Sequence, residues 1–98
     1  MIYHTVLFKW KPDSPAAKIR LAVDALNGLQ GKVPSLKMIS AGENFSERSA
    51  GFSHLLVSTF LTRNDLQAYQ VHPDHQKVVT EFIRPILAEL VVGDVEVP

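Results

Sequence analysis

The sequence predicts an α+β domain built on one four-stranded antiparallel sheet with helices on one face. Three observations lead there. Alternating, aromatic and β-branched runs mark strands at both ends and in the middle of the chain. Apolar stripes at helical spacing separate them. Finally, one face of the predicted strands stays apolar with nothing left in the chain to cover it.

The first strand is Ile2 to Trp10. His4, Val6, Phe8 and Trp10 fall on one face, and Tyr3, Thr5, Leu7 and Lys9 on the other. Apolar side chains on both faces indicate burial on both sides. Pro12 and Asp13 end the run. Ser14-Pro15 reads as a helix start, with the hydroxyl as cap and proline at the first position. Ile19, Ala22, Val23, Leu26 and Leu29 form one apolar stripe. Gly28 and Gly31 close this helix, with Pro34 just beyond.

A second strand is predicted over 36–42. Lys37 and Ile39 share one face, and Leu36 and Met38 the other. A polar, turn-rich connection runs from Gly42 to Gly51. Phe52 to Phe60 is the third strand, with His54 and Leu56 on one side and Leu55 and Val57 on the other. Thr62 caps a short helix through Tyr69, and Asp65 sits in its first turn, where the helix dipole favours negative charge. Pro73 disfavours helical geometry at His72, so this helix stops there. A further helix starts at Pro73 or Asp74 and buries Val78, Val79, Phe82 and Ile83 until Pro85 ends it. The last strand is Leu90 to Val97, with Gly93 as a candidate bulge.

The order strand, helix, strand, strand, helix pair, strand is the split βαβ arrangement of ferredoxin-like folds. The uncovered face carries Tyr3, Leu7, Leu55 and Val57. An apolar face of that kind marks an interaction surface, and a homodimer with the two sheets packed together is the expected partner arrangement.

Composition narrows the function classes. The chain has 98 residues, which is one domain, residues 1–98. It has no cysteine, which excludes disulfides and thiolate metal sites. Ten basic residues balance ten acidic ones, without the basic excess of a nucleic-acid-binding domain. No apolar run approaches the roughly 20 residues of a membrane span. The start of the chain lacks the pattern of a secretory leader, so a cytoplasmic location is expected.

Three segments carry a family resemblance: His4-Thr5-Val6-Leu7-Phe8-Lys9, Gly42-Glu43-Asn44, and Tyr69-Gln70-Val71-His72-Pro73-Asp74-His75. Together they resemble the stress-responsive A/B barrel (Dabb) domain, and the resemblance extends over the whole chain to Asp94. It implies a ferredoxin-like monomer that dimerises into an α+β barrel through its sheets, with no single function. The family includes plant stress proteins and a plant polyketide cyclase, olivetolic acid cyclase, to which the likeness is more distant. That enzyme's catalytic tyrosine and histidine match Tyr69 and His75. Its pocket histidines match His4 and His72, and a pocket lysine matches Lys37.

The chemistry these residues offer is acid/base. Imidazole exchanges a proton near neutral pH, and a tyrosine hydroxyl donates to a carbonyl oxygen as it gains charge. Tyr69 and His75 are the candidate catalytic pair, for a lyase, cyclase or isomerase acting on a small carbonyl, polyketide-like substrate. His4, Lys37, His72 and Asp94 are candidate pocket residues, and Asp94 is a carboxylate able to hold a histidine in one tautomer. His4, His72 and His75 are potential metal ligands, but the HxxH spacing spans a proline break, so no metal or other cofactor is expected. The same residues admit a structural account. In it Tyr69 buries its ring, His72-Pro73 breaks a helix, and His75 bonds a nearby carbonyl. Three functions therefore stay open at this level: small-molecule binding, an acid/base enzyme, and a structural assembly role.

Overall fold

The computed structural model describes residues 1–98. It contains strands β1 (Ile2–Trp10), β2 (Met38–Glu43), β3 (His54–Phe60) and β4 (Leu87–Glu96). Between them lie helices α1 (Ala16–Asn27), α2 (Arg63–Gln70) and α3 (Pro73–Val78), with a π-helical turn over Val79–Ile83 that continues α3. The sheet is antiparallel throughout, in the order β2-β3-β1-β4. This is the ferredoxin-like α+β fold. No helix is long and apolar enough to cross a membrane.

Alternation along β1 sets the two faces of the sheet. Ile2, His4, Val6, Phe8 and Trp10 are buried beneath the helices, where Leu26, Leu29, Leu56, Phe60, Leu66, Tyr69 and Ile83 complete the core. Each such large side chain contributes about 1.5–3 kcal/mol on burial. The opposite face is uncovered. Tyr3, Met38, Val91 and Val95 are 39, 38, 47 and 54 % exposed there, with Leu7, Leu55 and Val57 half-buried between them.

Several expectations are corrected at element ends. Ser14 does not cap α1: the helix begins at Ala16, and the Ser14 hydroxyl turns to the Ile86 carbonyl at 3.4 Å. The second strand starts at Met38, so strand alternation does not govern Leu36. That residue lies in the preceding turn, its amide bonded to the Val33 carbonyl, and it is buried. β3 starts at His54, not Phe52. β4 starts at Leu87, three residues earlier than predicted, and its irregularity is not at Gly93. Lys9 faces Glu89 while Trp10 faces Leu87, which leaves Ala88 as the extra residue. Gly93 instead lets β4 pass close to Thr5, whose hydroxyl donates to the Gly93 carbonyl at 2.8 Å. A Cβ there would lie 3.2 Å from that hydroxyl oxygen.

The α2 start matches the sequence reading. Thr62 accepts the Asp65 amide at 3.1 Å, and Asp65 occupies the first turn. Pro73 opens α3, and His72 adds an unforeseen cap, its Nδ1 accepting the Asp74 amide at 3.1 Å.

Candidate functional site

A cavity of about 240 Å³ lies between the inner face of β1, β3 and β4 and the α2–α3–π-turn segment. Its walls are mostly apolar, with Val6, Phe8, Leu56, Leu90 and Val92 from the sheet and Val79 and Ile83 from the π turn. The helices cover β1 and β3 but leave Leu90 and Val92 of β4 about half exposed, and this gap opens the cavity. Pockets for drug-sized ligands run from roughly 300 to 1,000 Å³, so this one suits a smaller molecule.

Tyr69, His75, His4, Gln70 and Arg84 are the polar side chains in the wall. Tyr69 leaves the last turn of α2 and is almost fully buried, its ring 5.2 Å from Phe60 and 4.3 Å from His75, centroid to centroid. No hydrogen bond joins Tyr69 to His75, and the Tyr69 hydroxyl has no partner in the chain. Burial pushes its pKa well above the ordinary tyrosine value, so the phenol stays a neutral donor.

His75 lies in the first turn of α3, held by its Nδ1, 3.1 Å from the Gln70 carbonyl. A carbonyl only accepts, so Nδ1 carries the proton and the lone pair is on Nε2. Burial lowers the His75 pKa below 6.5, with further lowering from His4 and His72, opposed by the Gln70 carbonyl. The imidazole is therefore neutral at physiological pH.

His4, 6 % exposed, faces the same cavity from β1. Directly across the ladder on β4 stands Asp94, whose Oδ1 lies 2.5 Å from His4 Nδ1. The carboxylate accepts from Nδ1–H, so in the neutral imidazole the lone pair is on Nε2. Asp94 thus acts from behind the pocket and does not line it.

Two other sequence candidates stand apart. Lys37 is exposed at the head of β2 and does not border the cavity. Nor does His72, whose ring caps α3. Parts of both accounts therefore describe the Tyr69–His75 segment: His72 makes a turn and His75 bonds a carbonyl, yet Tyr69 and His75 also face open space. No three His, Asp or Glu side chains cluster with the geometry of a metal site. Sequence reasoning missed Gln70 and Arg84. Gln70 had a signal, since it lies inside the Tyr69–His75 motif. Arg84 had none, because its position depends on the π turn.

Comparison with known proteins places this architecture. The family model described as "Stress responsive A/B Barrel Domain" matches residues 2–97. The chain belongs to this family. A stress-response A/B barrel domain-containing protein of Arabidopsis thaliana is 33 % identical over 94 residues, covering 96 % of this chain and 36 % of its own length. The domain thus spans about a third of that relative. A dimeric ferredoxin-like protein from Thermobifida fusca superposes with a TM-score of 0.85 at 26 % identity, over 98 % of this chain and 90 % of the other. A hydroxynitrile lyase from Passiflora edulis reaches 0.86 at 23 % identity, over 99 % and 93 %. At that identity the likeness is one of fold.

Proposed function

We propose that this stress-responsive A/B barrel domain forms a homodimer through the uncovered sheet face and binds a small, mostly apolar carbonyl or hydroxy compound in each protomer's cavity. The observation that carries the binding reading is the pairing of apolar walls with a Tyr69 whose side chain is almost fully buried at the cavity and whose hydroxyl bonds to no group of the chain. The dimer rests on the exposed apolar sheet face and on the dimeric Thermobifida fusca neighbour. In the bound state Tyr69 donates to the ligand oxygen, and Nε2 of His75 or His4 accepts from a hydroxyl or an acidic C–H.

Titration of the isotope-labelled protein with acetophenone tests binding. The expected result is saturable shifts of the Tyr69, His75, Val79 and Val92 resonances. Shifts confined to the outer surface, or none, would remove the pocket reading.

A second reading is a lyase. It is favoured by a neutral imidazole with a fixed tautomer beside a neutral phenol, and the hydroxynitrile lyase shares the fold. On a cyanohydrin, Nε2 of His75 takes the hydroxyl proton, the C–C bond electrons leave with cyanide, and the nascent carbonyl oxygen accepts from Tyr69. Protonation of cyanide by the imidazolium completes the balance. Release of benzaldehyde from mandelonitrile, compared with His75→Gln, decides it: equal rates in both proteins would rule out catalysis by this pair.

A further inference from the structure

We propose that Arg84 reads a carboxylate at the mouth of the cavity, so that the small apolar ligand of this site is an acid. The proposal rests on the binding reading above and specifies its ligand class.

The chain's ion pairs join His4 to Asp94, Lys9 to Glu89 and Arg63 to Glu96, and leave Arg84 without a carboxylate. Arg20 and Arg48 are also free of ion pairs, but neither borders the apolar cavity. Arg84 lines the cavity and also an outer groove made with Gln70, His75 and Thr80. No acidic residue lines either space, and Arg84 is the one permanently charged residue that does.

Its placement follows from the local backbone. The Arg84 amide donates to the Val79 carbonyl at 2.9 Å, the five-residue spacing of a π turn. In an α-helix residues four apart stand one above the other, and here residues five apart do. The wider turn therefore brings Arg84 over Val79, on the cavity side, where α-helical spacing would rotate it away. Single π turns of this kind often occur at functional sites. Pro85 follows at once and ends the turn.

The neighbours fit the assignment. Gln70 borders both the cavity and the groove together with Arg84, and its side-chain amide is a second hydrogen-bond donor for an acid group there. A planar guanidinium matches a carboxylate with two parallel hydrogen bonds, whereas the walls beyond offer only apolar contact. The ligand would enter with its apolar body inside and its acid group at the rim.

Phenylacetate and phenylacetamide differ in charge and hardly in shape, and NMR titration with each at pH 8, above the ordinary histidine range, tests the assignment. The acid should bind about fivefold more tightly than the amide, a modest ratio because the mouth is open to water. Arg84→Met should erase the preference, weakening the acid more than the amide, while Arg84→Lys keeps part of it. Arg84 is exposed, so these variants should fold, and their spectra verify it. Equal binding of acid and amide to the wild type overturns the role of Arg84 and leaves the pocket reading intact. A preference that survives Arg84→Met overturns it too. If neither compound moves the Tyr69 and His75 resonances, the proposal and the pocket reading fall together.

Discussion

Tyr69 buries its ring between Phe60 and His75, while its hydroxyl makes no bond within the chain. Removing that hydroxyl therefore strands no partner and leaves the ring contacts intact. Tyr69→Phe should change stability by less than about 0.5 kcal/mol, yet weaken acetophenone binding by about fivefold, the value of one neutral hydrogen bond. Thermal unfolding and NMR titration on the same variant separate the two. A large drop in Tm with unchanged affinity would make the hydroxyl structural. His72 supplies the converse case. Its ring caps α3 outside the cavity, and asparagine is a good cap. His72→Asn should keep both the fold and the ligand affinity, and a loss of binding would return His72 to the site.

The helix ends decide where these side chains stand. Thr62 holds the start of α2, which carries Tyr69 in its last turn. Thr62→Ala loses the cap for about 1 kcal/mol, and in a domain of this size calorimetry should read a Tm lowered by roughly 4–8 °C. A Tm within a degree of wild type would show that the Asp65 amide finds another acceptor. This cap was legible in the sequence because its signal is local: a hydroxyl, an acidic residue three positions on, and an apolar stripe behind. So were the inner face of β1 and the placing of His4, since strand alternation has a fixed period. Arg84 was not, because the π turn breaks the period that sequence reading assumes. Ser14 carried an equally good cap signal, but the Ile86 carbonyl, brought near by the tertiary fold, took its hydroxyl. The pairing of Asp94 with His4 needed the β1–β4 register, which no local pattern supplies.

For the whole molecule, the uncovered sheet face and the titrating histidines each set a condition for stability. Val57 sits mid-sheet on the outer face, beside Thr5 and Ser40. Val57→Lys should leave the inner core intact but shift sedimentation from dimer to monomer, and a dimer that persists would place the interface elsewhere. The pH response comes from His75 and His54. Burial lowers the pKa of both below 6.5, with Glu43 opposing it at His54. His54 Nδ1 also accepts from the Trp10 indole at 2.9 Å. Unfolded, each imidazole takes up its proton near pH 6.5; folded, it does so only at lower pH. Below about pH 6.5 the unfolded chain therefore binds more protons, and stability falls with pH until the folded-state pKa values are passed. Above that window these two groups leave stability flat. Tm measured at one protein concentration, so that dimerisation is held fixed, should be lower at pH 5.5 than at 7.5. His75→Gln and His54→Gln should each reduce the difference. If both variants keep the full wild-type slope, neither histidine is desolvated in the way the structure places it.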